Sequence, residues 1–304
     1  MTFQTILITG AGSGFGRLTA LELARRGHTV FAGIRDTTGR NAGASGELRD
    51  LAAAEGLALH VLDLDVQSDV SVENAVGEAL GRAGRLDVVV NNAGLSAIGP
   101  IEAFSSAQAH LLFDTNVLGN LRVIRAALPT MRVQGSGLLI QISSVLGRVA
   151  SQFTGLYAAS KFALEGLTEA LHHELAPFGI EAVALEPGAY PTDLLAKGVQ
   201  PGSPAVTAYA AGLQQFGAAV GSAMQSAGEA DPGDVAKAVA RLIEMPAGTR
   251  PVRLVVAPGR QGQGPETVNT ASERATAEFF SAMHLTAGEL TSGQDPYTTP
   301  TATD

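Results

Sequence analysis

The chain reads as one α/β domain, a doubly wound parallel sheet of about seven strands flanked by helices. Three observations predict it. Short runs of branched apolar residues alternate with helical patterns from residue 3 to residue 260. A glycine-rich turn joins the first run to the first helical pattern. No linker or internal repeat divides those residues.

Residues 3–9 form the first strand, with Ile6, Leu7 and Ile8 at its centre. Gly10, Gly14 and Gly16 follow in the spacing G-x-x-x-G-x-G; Phe15 excludes the G-x-G-x-x-G reading. Glycines at these positions let backbone approach a pyrophosphate. The helix behind them, residues 18–26, offers it free N–H groups and a positive dipole end. The arrangement is Rossmann-like.

Residues 28–34 are the second strand, ending at Arg35-Asp36, where such a site meets the adenosine ribose. A carboxylate would bind the ribose hydroxyls of NAD, and an arginine the 2′-phosphate of NADP. Arg35 follows the strand tip directly, so NADP(H) is expected, with NAD(H) the alternative. Residues 58–64, 86–91, 138–143, 181–186 and 252–256 complete the sheet, with ligands expected at its C-terminal edge. Pro129 lacks an N–H and should kink or end the helix before the fifth strand. Asp231-Pro232 should cap a helix running to Met245, with proline in its first position.

Tyr157 and Lys161 stand four apart on a helical segment, hence on one face, with Ser144 upstream. A nearby ammonium favours the phenolate, whereas burial opposes it. Bringing a phenol from about 10 to neutrality takes roughly 4 kcal/mol, so the lysine must outweigh burial. Such a phenol can protonate a developing alkoxide or deprotonate an alcohol. Ser144 would hydrogen-bond the substrate oxygen, with Ser143 as its rival.

The order of these motifs resembles the short-chain dehydrogenase/reductase family over residues 3–260. The family's nucleotide loop matches Thr9, Gly10, Ser13, Gly14, Phe15 and Gly16, and its adenine-contacting pair matches Asp65-Val66. Asn91-Asn92-Ala93-Gly94 matches the run ending the fourth strand, and Pro187-Gly188, with Thr192 following, the nicotinamide segment. The resemblance implies that Tyr157 is the acid/base and that Lys161 lowers its pKa and holds the nicotinamide ribose. It also implies that Ser144 orients the carbonyl, that Asn116 anchors a water in a proton relay, and that the chain forms a homodimer or homotetramer.

Composition sets limits. A 45% hydrophobic content over 304 residues suffices for one large core. A net charge of −9 argues against general nucleic-acid binding. Absent cysteines exclude disulfides and thiolate metal sites. The six histidines show no i, i+4 pairing, and His172 and His173 point roughly 100° apart, so no metal is expected. No apolar run reaches the ~18 residues of a membrane span, and no leader precedes the first strand, so a cytoplasmic protein is expected.

Substrate choice is expected in residues 193–230. There Val206, Tyr209, Leu213, Phe216, Val220 and Met224 recur at helical spacing, as for a lid or a stripe packed on the core. Leu95, Phe153, Tyr190 and Leu194 are further wall candidates, pointing to an apolar or aromatic carbonyl or alcohol substrate. Residues 261–304 read as an extension, helical only near 271–284 and mobile beyond 286 or wrapped over a neighbouring subunit. The reading is an NADP-dependent ketone or aldehyde reductase. The alternative is a non-catalytic dinucleotide-binding redox sensor, which has no reason to keep Asn116, Ser144, Tyr157 and Lys161 together. A sugar-nucleotide epimerase or dehydratase fits less well.

Overall fold

A computed structural model describes residues 3–194, 197–226 and 230–284. The described residues form a Rossmann-like, seven-stranded parallel sheet in the order β3-β2-β1-β4-β5-β6-β7. Its strands are β1 (Thr5–Thr9), β2 (Thr29–Ile34), β3 (Leu59–Asp63), β4 (Val88–Asn91), β5 (Gly137–Ile142), β6 (Ile180–Pro187) and β7 (Arg253–Val256). The helices are α1 (Gly14–Arg25), α2 (Ala42–Glu55), α3 (Asp69–Ala83), α4 (Ser106–Phe113), α5 (Gly119–Gln134), α6 (Gly155–Leu175), α7 (Ala210–Ser226), α8 (Gly233–Glu244) and α9 (Gln263–Ala282).

Strand alternation divides the core in two. Ile6, Ile8, Val30, Val90 and Ile140 face α1, α2 and α8 through Leu23, Leu48 and Val239. Leu7, Phe31, Val89 and Leu139 face α3 and α5 through Val76, Val123 and Met131. Both faces being covered, the strands are largely apolar, as in parallel sheets generally, with Gln141, Glu186 and Arg253 among the buried polar exceptions. Strand order reverses between β1 and β4, and the crevice there opens at the strands' C-terminal ends.

Four elements depart from expectation. α1 begins at Gly14 rather than residue 18, directly on the glycine loop. α5 runs through Pro129 to Gln134 without ending. The carbonyl that loses its partner belongs to Arg125, on the exposed face where water can replace the missing N–H. α8 begins at Gly233, so Pro232 occupies the cap position, and Asp231 accepts the Gly233 N–H at 2.8 Å. α9 is longer than expected because its polar first half is anchored by buried Pro265 and Asn269. Residues 286–304 lie outside the described residues.

Candidate active site

At the crevice a cavity of ≈ 640 Å³ runs from the β2 tip to α6. Gly10, Ser13, Gly14 and Phe15 line one side, and Asn92, Ala93 and Gly94 the floor. Asp65 and Val66 line one end, and Ser144, Tyr157, Lys161, Pro187, Gly188 and Thr192 the other. The glycine loop fits a pyrophosphate. A Cβ on Gly10 would lie 2.9 Å from Ala93 Cα, and one on Gly16 2.5 Å from the Gly10 carbonyl oxygen. Gly10 and Gly14 adopt φ of 67° and 52°, so the loop needs glycine for backbone conformation at both and for space at Gly10 and Gly16. Thr9 Oγ1 accepts the N–H groups of Asn92 and Ala93 at 3.0 Å, while Asn92 Nδ2 donates to the carbonyls of Thr9 and Gly10. The Asn92 amide thus braces the loop.

At the adenosine end, Arg35 and Arg40 line the cavity together with Ile34. Arg35 Nη1 donates to Gln67 Oε1 at 3.1 Å. Asp36 is turned out of the cavity: it takes φ 55°, its N–H donates to Asp63 Oδ1, and its Oδ2 accepts the Arg40 N–H at 2.8 Å. Across the cavity, Lys197 pairs with Asp193 at 3.3 Å and donates to Ser13 Oγ at 2.9 Å.

At the other end α6 carries Tyr157 and Lys161 on successive turns. Lys161 Nζ donates to the Ile142 carbonyl at 2.8 Å and lies 5.7 Å from the centre of the Tyr157 ring. The expected balance is reversed here. Burial pushes the Tyr157 phenol up to about 12, with the Ser144 hydroxyl pulling the other way. Burial likewise pushes Lys161 down to about 8, against the field of Glu165. The same enclosure that disfavours a phenolate weakens the ammonium meant to stabilise it. Ser144 accepts the Leu146 N–H at 3.1 Å and lies against the phenol, whereas Ser143 is directed toward Glu165.

Asn116 sits in a π-helical turn, Asp114–Leu118, between α4 and α5. Its Oδ1 accepts the Leu95 N–H at 2.8 Å, and its Nδ2 donates to the Leu95 carbonyl at 2.9 Å and to Ser160 Oγ at 3.0 Å. Its amide thus ties the β4 loop to α6. The widened turn turns the buried side chain toward both partners.

Among the wall candidates, Leu95 and Leu194 line the cavity. Tyr190 does not: it packs in the core, edge-on to Phe15 at 5.7 Å, because the chain after β6 folds back over α1. Phe153 meets the rings of Tyr209 and Phe216 at 6.3 and 5.8 Å. Arg40 and Lys197 went unread in the sequence. Arg40 had one signal, its place in the loop that begins at Asp36. Among the described residues, no three His, Asp or Glu side chains converge as a metal site, and no helix is long and apolar enough to cross a membrane.

Fold and cavity define a class: a dinucleotide-binding α/β protein with serine, tyrosine and lysine gathered at the sheet's C-terminal edge. The family model for short chain dehydrogenase matches residues 4–201, and the chain belongs to that family. A 3-ketodihydrosphingosine reductase of Bacteroides thetaiotaomicron is 37% identical over 189 residues, covering 62% of this chain and 65% of that protein. The match thus spans slightly less than two thirds of that relative's length. A short-chain dehydrogenase from Streptomyces avermitilis superposes with a TM-score of 0.72 at 33% identity, over 93% of this chain and 98% of the other. An alcohol dehydrogenase from Thermococcus sibiricus, solved with 5-hydroxy-NADP, gives a TM-score of 0.68 at 27% identity, over 84% of this chain and 96% of the other.

Proposed function

We propose that this chain is an NADPH-dependent reductase of ketones or aldehydes, reversible to an alcohol dehydrogenase, acting on apolar substrates as a homo-oligomer. One observation carries the cofactor choice: Arg35 and Arg40 line the adenosine end while the Asp36 carboxylate is engaged elsewhere. Two guanidinium groups suit a 2′-phosphate, and the one carboxylate named at that end, Asp65, accepts the Gln67 N–H at 3.0 Å. A bound nicotinamide dinucleotide supplies the hydride. Ser144 hydrogen-bonds the substrate oxygen, Tyr157 delivers its proton to that oxygen as the alkoxide forms, and Lys161 supplies positive charge beside the phenol. Asn116 holds Leu95 and Ser160, fixing the loop and helix that flank the reacting atoms. The convergence of Ser144, Tyr157 and Lys161 in one cavity favours turnover over a non-catalytic sensor.

The substrate class follows from the walls. Leu95 and Leu194 are apolar walls of the cavity, and Leu95 and Tyr157 pack on a buried apolar cluster of Ala97, Leu112 and Val199. The relative named as a 3-ketodihydrosphingosine reductase supports the reductive direction.

The test is NADPH and NADH oxidation against a panel of aliphatic, aromatic and steroidal ketones and aldehydes. Replacing both arginines, Arg35→Ala with Arg40→Ala, should lower the NADPH-over-NADH preference by roughly 10–100-fold, as expected for the loss of charge-assisted hydrogen bonds. An unchanged preference would show that these arginines do not select the cofactor. Absence of turnover on every carbonyl would overturn the reductase reading.

A further inference from the structure

Behind Lys161 lies a cluster of buried charges that proton delivery does not itself use. Lys161, Glu165 and Glu169 follow one another at single-turn intervals along α6 and share one face. Lys161 is 5% exposed, Glu165 1% and Glu186 0%. Arg253, the first residue of β7, binds two of the carboxylates: Nε lies 2.9 Å from Glu165 Oε2, and Nη2 lies 2.7 Å from Glu169 Oε2. Glu186, near the end of β6, stands 3.9 Å from Arg253 Nε. α9 closes the cluster from outside. Its Asn269 Nδ2 donates to both Glu186 oxygens at 3.1 and 3.0 Å, and its Thr276 Oγ1 donates to Glu169 at 2.7 Å. From the loop after β5, Arg148 acts on all three carboxylates and Ser143 on Glu165.

A buried ion needs a partner, and distance decides which carboxylates have one. Glu165 touches the Arg253 guanidinium, so it carries charge even though burial raises its pKa. Glu186 does not touch it; burial and the neighbouring Glu165 push its carboxyl up to about 8, and it keeps a proton at neutral pH. Burial also works against the charge of Arg253, but Glu169 and Glu165 more than offset it. Lys161 has the most to lose. Burial drives it toward the neutral amine, and Glu165 opposes that drive.

We propose that Glu165 is a positioning residue whose buried carboxylate, clamped by Arg253 and enclosed by α9, keeps Lys161 cationic beside Tyr157. This deepens the reading above, on which it rests, because the charge on Lys161 matters to turnover only if Tyr157 transfers the proton.

The sequence contains three lysines, Lys161, Lys197 and Lys237, so protein labelled with carbon-13 at lysine Cε gives three assignable NMR signals. In the wild type Lys161 titrates near about 8. In Glu165→Gln its midpoint falls by about 1 pH unit or more, and the Lys197 and Lys237 midpoints stay in place. Glu165→Asp, which keeps the charge, restores most of the difference. With an active carbonyl substrate, the alkaline decline of kcat moves to lower pH in Glu165→Gln, while KM changes less than about two-fold. An unmoved Lys161 midpoint in folded Glu165→Gln overturns the proposal whether or not a substrate is known. Absence of wild-type turnover on every substrate, with the midpoint shifted in Glu165→Gln, overturns only the reductase reading. Should Glu165→Gln fail to fold, the assigned carboxyl carbon of Glu165 in the wild type decides: ionised at neutral pH supports the proposal, and protonated overturns it.

Discussion

Tyr157 is held as a phenol by its surroundings, and this suits a proton donor. With its pKa pushed up to about 12 by burial, it stays protonated across the working range, while Lys161 at about 8 is the group whose charge changes there. Reduction should therefore decline as pH rises through about 8, where the ammonium is lost. Replacing Tyr157 with phenylalanine keeps the ring and its packing but removes the transferable proton. Tyr157→Phe should lower kcat by about 10²–10⁴-fold. NADPH affinity, measured by quenching of its fluorescence, should stay within a few-fold of wild type. Retained turnover would remove Tyr157 from the acid/base role.

At the scale of elements, α7, in the segment expected to act as a lid, is loosely held. No described side chain of α7 is fully buried, and Leu213, Phe216 and Val220 are only half-covered. Of the expected apolar stripe, Val206, Leu213, Phe216 and Val220 are half-covered and Tyr209 is exposed, and Phe216 and Tyr209 meet the Phe153 ring; the Met224 side chain lies outside the described residues. Phe153 takes a left-handed φ of 63° in the segment leading into α6, and its carbonyl accepts the Gly99 N–H at 2.8 Å. It links the lid to the helix that carries Tyr157. An aromatic pair contributes about 1 kcal/mol. Phe153→Ala should therefore speed proteolytic cleavage within residues 204–226 about five-fold, and raise KM for bulky substrates more than it lowers kcat. Equal cleavage rates would show that Phe153 does not hold the lid. These contacts also show where reading from sequence stops. The glycine loop and the Tyr157–Lys161 spacing were legible because local geometry, one turn or one helix, fixes their meaning. The turning of Asp36 toward Asp63, the packing of Tyr190 on Phe15 and the pairing of Asn269 with Glu186 join residues far apart in the chain, and no local pattern encodes them. α9 was half-hidden for the same reason: its first half looks polar until Pro265 and Asn269 are buried.

For the molecule as a whole, burying Lys161 and Glu186 in one core makes stability depend on pH in opposing ways. Glu186 has a folded-state pKa of about 8 against an ordinary 4.5. Between those values the folded chain binds more protons than the unfolded one, so stability falls as pH rises, and the full penalty is present above about 8. Lys161, at about 8 against 10.5, behaves in the opposite sense. Its folded state binds fewer protons across that interval, so its penalty is complete below about 8 and is relieved as pH rises toward 10.5. The two penalties overlap most near pH 8, where both buried groups are partly charged. Glutamine at position 186 reproduces the size of the protonated acid and cannot ionise, so it isolates one of the two. Chemical denaturation of wild type and Glu186→Gln at about pH 5, 6.5 and 8.5 separates them, since titrations of groups that do not interact with position 186 cancel in the difference. The stability of Glu186→Gln relative to wild type should rise by more than about 1 kcal/mol from the lowest to the highest pH, against a ceiling of roughly 1.4 kcal/mol for each pH unit crossed. A difference that stays flat would mean that Glu186 is already ionised in the folded protein at low pH. Arg253 would then have to serve three carboxylates, and Glu165 would lose its prior claim on it.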